Sequence, residues 1–314
     1  MPGRKSNRNP AANAAAASAR KASGFSTQPP TVSARWLAGA IAVTLAVAVL
    51  CAWGALCLLV WQGSWQLLYH PSAAIARTPA SVGIAFSDLG FGANEAGIPR
   101  LQGWWIPAAP DARNSRYTAI YLHGASGNLG NSVDAIARLH SAGLSVLAFD
   151  YRGYGKSQFI HPSETHWRED ADLALQYLTG TRHIAPQTIV LVGNGLGANL
   201  ALEVAAAHPD LAGVVLDQPL QAPAQAIFSD PRTHLVPAHA LVKDRWDSSS
   251  AVTELRIPSL WFYEADANAS DEKKDFSKAT ATKMLVWLPA DGAEQQKDYS
   301  NALDRWLDGL PGHP

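Results

Sequence analysis

Cysteine is nearly missing from this chain. Its 314 residues include 2 cysteines, Cys51 and Cys57, and both fall in one apolar stretch. That excludes a disulfide framework and any zinc site built on thiolates. A charge excess is missing too. With 25 basic and 26 acidic residues the net charge is −1, so the chain as a whole has no electrostatic reason to seek nucleic acid. Acidic residues are absent from positions 1–35, which hold Arg4, Lys5, Arg8, Arg20, Lys21 and Arg35. No internal repeat is visible, and no motif calls for a metal or an organic cofactor as resident.

What is present begins with that basic tail. Positions 1–35 are rich in Ala, Ser, Asn and Pro without apolar periodicity, the composition of a disordered segment whose charges suit anionic lipid. From Leu37 to Val60 no residue is charged. As a helix this run spans about 36 Å, enough for a hydrocarbon core of about 30 Å. A transmembrane helix over 36–61 is expected, and Trp36, Trp53, Trp61 and Trp65 include residues placed to sit at the interfaces. The competing reading is a cleaved signal peptide. The run is too long for one, and no small-x-small site follows it. Basic residues precede the span, and the next one after it is Arg77. The positive-inside rule then puts the N-terminus in the cytoplasm and the rest outside, as in an inner-membrane protein with a periplasmic domain.

From about residue 65 to 311 the pattern is that of one globular domain. Strands are expected at Val82–Ser87, Leu101–Ile106, Thr118–Leu122, Leu144–Phe149, Thr188–Gly193, Gly213–Asp217, Pro258–Tyr263 and Lys283–Leu288. Most lack strict alternation, as strands buried on both faces of a parallel sheet do. Helical patterns lie between the later strands, at Asn131–Ala142, Ser163–Thr179 and Leu196–His208, and a last one covers Lys297–Leu310. Such alternation predicts an α/β fold, a mostly parallel sheet of about eight strands with helices on both faces. Residues 219–257 carry Pro219, Pro223, Pro231 and Pro237 and read as a small cap.

In an open α/β sheet, ligands sit at the carboxyl ends of the strands. Three expected strands run there into unusual loops: His123-Gly124-Ala125-Ser126-Gly127-Asn128, Asp150-Tyr151-Arg152-Gly153-Tyr154-Gly155-Lys156-Ser157, and Gly193-Asn194-Gly195-Leu196-Gly197-Ala198. Together with Pro162-Ser163-Glu164, Asp244-Arg245-Trp246-Asp247-Ser248 and Leu67-Leu68-Tyr69-His70-Pro71, these motifs resemble the α/β-hydrolase superfamily. Within it they resemble the membrane-anchored group often called BEM46-like or ABHD13-like. The resemblance covers about residues 65–310. It implies the α/β-hydrolase fold, descent from enzymes that cleave esters or amides, an anion-binding pocket at His123, Gly124, Ala125, Ser126 and Leu196, and a loop organised by Asp150, Arg152 and Gly153.

The departures from that pattern concern the chemistry. The family's nucleophile stands at the centre of Gly-x-Ser-x-Gly. Here Gly195 holds that place, and Ile189 to His208 contains no Ser, Thr, Cys or Asp. The family's histidine follows the last strand, where Ala293 stands, and no histidine occurs between His239 and His313. His313 belongs to a Pro-Gly-His-Pro tail. The family's acid corresponds to Asp266, with Asp271 competing. No catalytic triad is therefore expected to be intact, and the chain reads as a pseudo-hydrolase with a ligand- or partner-binding role. Neither the ligand nor a protein partner is identified by the sequence.

Two other readings stay open at this point. One is a hydrolase working through activated water, with His123, His161 and His166 as the available bases. The other is a dinucleotide-binding module. Gly193-Asn194-Gly195-Leu196-Gly197-Ala198 satisfies G-x-G-x-x-A after a strand, and Asp217 ends the next strand as a ribose-binding acid would. Against the second stands its position late in the domain, with four or more strands before it.

Overall fold

A computed structural model of the chain describes residues 32–265, 275–290 and 292–310. Most of the expected tail lies outside the described residues, as do Asp266, Asp271 and His313. By its contacts the chain divides into Met1–Gly54 and Ala55–Pro314. The first described helix, α1, runs from Ala34 to Gly63. It is long and apolar enough to cross a membrane, and it leaves Val43, Leu45, Val49, Leu50 and Leu59 exposed.

The main sheet has eight strands: β1 (Ser87–Ala93), β2 (Pro99–Ile106), β3 (Thr118–Leu122), β4 (Ser145–Asp150), β5 (Ile189–Asn194), β6 (Gly213–Asp217), β7 (Ser259–Glu264) and β8 (Lys283–Leu288). Their spatial order is β8-β7-β6-β5-β3-β4-β2-β1. From β8 to β4 every neighbouring pair is parallel, and β2 pairs antiparallel with both β4 and β1. Parallel strands need crossover helices, which cover both faces and make the strands apolar on both sides. Residues of β3 to β6 are accordingly buried along almost their whole length.

Alternation along each strand sorts the core into two layers. Ile120, Leu122, Phe149, Leu191 and Leu216 face one side, packed with Trp167 of α3 (Glu164–Gln176) and Leu200 of α4 (Leu196–Ala207). Ala119, Tyr121, Val146, Val192 and Val215 face the other, packed with Ile136 of α2 (Val133–Ser141) and with Leu303 and Trp306 of α5 (Gly292–Asp308). Each fully buried aliphatic side chain contributes about 1.5–3 kcal/mol of burial free energy.

Two expected elements need correction. Val82–Ser87 is not a strand: Pro79–Val82 forms a short 3-10 turn closed by Gly83 in the left-handed region, and the strand follows at Ser87–Ala93. Its glycines hide it from propensity. Gly90 packs so closely on Pro99 across the ladder that an added Cβ would come within 2.8 Å of that ring. The last helix begins at Gly292 rather than Lys297. Ala293, expected in a loop, is an exposed residue of its first turn.

Over 219–257 the chain forms short helices at Gln225–Phe228, Pro231–Leu235, Ala238–Leu241 and Ser249–Glu254. A buried polar knot ties this region down. Tyr69 donates to Asp244 at 2.9 Å and accepts from the Trp246 indole at 2.9 Å. The Glu164 carboxylate accepts the backbone N–H groups of Arg245 and Trp246 at 2.6 and 3.0 Å and pairs with Arg168. Trp246 holds φ +48°, a strained value for a non-glycine residue. The three short motifs at Tyr69, Glu164 and Asp244–Ser248 thus meet in one network, which joins the segment after α1 to the cap.

Candidate functional site

The junction between β5 and α4 lies at the carboxyl end of the sheet's central strand. Gly195 sits there with φ +55° and ψ −121°, a region that L side chains rarely adopt. Its N–H donates to the Asp217 carbonyl at 2.8 Å. Its flanking glycines are required by close approach. A Cβ on Gly193 would stand 2.2 Å from the Gly197 carbonyl oxygen, and one on Gly197 would stand 2.2 Å from that of Leu122. At Gly195 itself an added Cβ would meet nothing within 4 Å. The turn is therefore a sharp elbow that points residue 195 into open space.

Two grooves meet at the elbow. One, of 490 Å³, is lined by Gly124, Ala125, Ser126, Arg138, Asn194, Gly195 and Leu196 among others. The other, of 400 Å³, is lined by Asn194, Gly195, Gln218, Leu220, Tyr263 and Glu264 among others. Both volumes lie within the range of small-molecule sites. Leu196 is the first residue of α4, so its N–H has no intrahelical acceptor and carries the positive end of the helix dipole. The 124–128 loop is pinned opposite. His70 and Pro71 pair in parallel with Ser126 and Gly127, and the Asn128 amide donates to the Ser72 and Ala74 carbonyls at 3.0 and 2.8 Å.

His123 does not join the groove. It is 1 % exposed, and its ring lies among Tyr151, Tyr154 and Trp167 beneath the loop. One ring nitrogen, Nδ1, is 2.8 Å from the Gly124 carbonyl, and Nε2 faces Asp150 Oδ1 at 3.5 Å. Burial pushes the imidazole down to about 4 and the Asp150 carboxyl up to about 7. Both shifts disfavour the charged forms, and with the imidazole neutral the two do not form an ion pair. Asp150 accepts the Leu129 N–H at 2.9 Å, and Gly155 closes against it so tightly that a Cβ would overlap the carboxyl. Gly153, at φ +93°, packs against the Ile160 carbonyl.

Arg152 reaches beyond its own loop. It donates to Asp170 at 2.5 Å, to Glu169 at 2.7 Å and to the His166 carbonyl at 3.1 Å, and so locks the loop to α3. Burial raises Asp170 to about 6 against the lowering effect of these bonds. His161 stacks on Trp65, and His166 is hydrogen-bonded to the His161 carbonyl. No described histidine lines either groove at Gly195.

Asp217, which the dinucleotide reading needs as an outward ribose-binding acid, turns inward. It is 9 % exposed and accepts from the Asn194 amide at 3.2 Å, and burial raises it to about 6. Gln218 beside it has φ +52° and donates to Glu264 at 2.8 Å. Arg138, Gln218 and Glu264 are lining residues that the sequence reading did not single out. Glu264 was open to it, as a polar residue ending a strand at the ligand face.

A mostly parallel eight-stranded sheet with a strand-to-helix elbow on its central strand defines the α/β-hydrolase fold. An esterase of Pyrococcus furiosus is similar over 78 % of this chain and 99 % of its own, with a TM-score of 0.58 at 16 % identity. An α/β hydrolase of Vibrio vulnificus is similar over 74 % and 83 %, with a TM-score of 0.55 at 21 % identity. Within that fold the hydrolase family described as "Serine aminopeptidase, S33" matches residues 113–286, and the chain belongs to it. An uncharacterized protein of Mycobacterium tuberculosis (strain CDC 1551 / Oshkosh) is 30 % identical, over 74 % of this chain and 77 % of that protein. Alpha/beta hydrolase domain-containing protein 17C of Mus musculus is 28 % identical over 66 % and 62 %.

Proposed function

We propose that this chain is a membrane-anchored α/β-hydrolase homologue of the BEM46-like kind. On this reading it has lost serine-hydrolase catalysis and binds a small ligand or a partner in the groove around Gly195. One observation carries the reading: the elbow residue has the backbone conformation and open surroundings of a nucleophile's seat, yet it has no side chain. The lack of a described histidine on either groove supports it independently. Ala293 and Asp266 are then the vestigial positions of the base and acid. In subtilisin, loss of the nucleophile or the histidine costs about 10⁶ in turnover, leaving roughly 10³–10⁴ over water. Leu196 and Ala125 line the same groove, and on this reading their N–H groups supply a nest for an anion. The helix α1, preceded by basic and no acidic residues, is read as a signal anchor with a cytoplasmic N-terminus and an external domain.

The test is an ester panel of varied acyl length together with fluorophosphonate labelling of the full chain. No saturable turnover and no labelling are expected, and either one would overturn the reading. A reporter fused at each end separates the two membrane orientations.

A further inference from the structure

Arg138 lies in the last turn of α2 and lines the 490 Å³ groove together with Gly124, Ala125, Gly195 and Leu196. The partner its helix offers is Asp134, four residues earlier, with the acid on the N-terminal side as a helical ion pair prefers. That partner is taken. Both Asp134 oxygens accept from Arg77, at 2.8 and 2.9 Å. The other carboxyl that feels Arg138 is Asp217, which accepts from the Asn194 amide. Among the described residues Arg138 has no ion pair, its guanidinium stands 4.9 Å from the centre of the Tyr299 ring, and its Nε is buried without an acceptor.

A guanidinium partly removed from water without a counter-ion costs free energy, and proteins ordinarily resolve that by pairing. The side left open here is the groove. The Leu196 N–H and the positive end of α4 line the same groove, beside the space that Gly195 leaves clear. Asp134 also lines the groove, but its charge is answered by Arg77, so one guanidinium and roughly half a unit charge at a helix terminus are left to suit a single negative charge. A guanidinium also matches a planar carboxylate through two parallel N–H···O bonds.

We propose that the groove binds a small carboxylic acid in its ionised form, with Arg138 as the specificity residue and the Leu196 end of α4 as the second anchor. This rests on the binding reading above and names its ligand class. Such an acid has the shape of the product that an ester-cleaving relative would release, held here without a nucleophile beside it.

The experiment is calorimetric titration of the full chain in detergent, at constant ionic strength. The probes are linear monocarboxylates from acetate to octanoate, their methyl esters as neutral controls, and inorganic phosphate. At least one carboxylate should bind, with its ester and phosphate each about tenfold weaker or more, a difference of about 1.4 kcal/mol. Arg138→Gln should weaken the carboxylate by a similar factor. Arg77→Gln, which does not line the groove, should weaken it too, because Asp134 is then released to Arg138. Binding of no carboxylate, ester or phosphate binding equal to carboxylate binding, or an unchanged affinity in Arg138→Gln would overturn the proposal. Ester turnover by the unmodified chain would sink the non-catalytic reading but leave the carboxylate site standing.

Discussion

Replacing Gly195 by serine puts a hydroxyl on the elbow, and the structure sets what that does. The residue holds φ +55° and ψ −121°, and a Cβ placed there meets no atom within 4 Å. The cost is thus backbone strain and not collision. Strain of this kind costs about 1–3 kcal/mol for a residue other than glycine. Each kcal/mol moves the melting point of a domain this size by about 2–4 °C, so a fall of about 2–12 °C is expected. Gly195→Ala carries the same strain without a hydroxyl and should fall by the same amount within about 0.5 kcal/mol, the usual scale for such small differences. Neither variant should gain turnover, because no described histidine lines either groove at the elbow. Scanning calorimetry of the three full chains, alongside an ester assay, measures both effects. Unchanged melting points would show that the elbow is not strained as described. Serine-dependent turnover would show that a base exists where none was identified.

Other consequences follow from single contacts. Between pH 3.8 and about 6 the folded chain keeps a proton on Asp217 that the unfolded chain has lost, so this group makes stability fall as pH rises through that window. Asp217→Asn should match the parent below about pH 4 and be more stable by up to about 3 kcal/mol above pH 6; urea melts across the range check this. Gly197→Ala drives a Cβ to 2.2 Å from the Leu122 carbonyl oxygen, and overpacking against rigid backbone should cost about 1–3 kcal/mol or more, read as a lowered unfolding midpoint. Glu164→Gln replaces a carboxylate that serves two N–H groups and Arg168, so a donor must face a donor or a cation. Hydrogen exchange at Arg245 and Trp246 should quicken, with a loss of about 1–3 kcal/mol.

Much of this molecule is legible without coordinates, for a physical reason. Thr118–Leu122 and Gly213–Asp217 coincide with their expected bounds, because strands buried on both faces carry unbroken apolar runs; Lys283–Leu288, a half-buried strand at the sheet's other edge, coincides too, through its own apolar run from Met284 to Leu288. Edge strand Ser87–Ala93 was missed, since its glycines serve a neighbour's packing and not its own propensity. The loops at the carboxyl end were found from glycine spacing, but spacing does not say which way a side chain turns. His123 and Asp217 both point inward, and only the neighbours that bury them could have told. Arg138 gave no signal at all. Its interest depends on Arg77 holding Asp134, a contact that links residues far apart in the chain.

Gly193 and Gly197 carry a consequence for how such chains evolve. They let β5, α4 and the Leu122–His123 backbone approach one another so closely that the elbow between them is dictated by its surroundings. Residue 195 is a tenant of that bend and not its builder. Selection for the fold therefore preserves the seat whether or not anything occupies it. On the reading proposed above, a lineage can give up the nucleophile in one step, and the empty seat keeps the outline of a hydrolase for as long as the two flanking glycines hold.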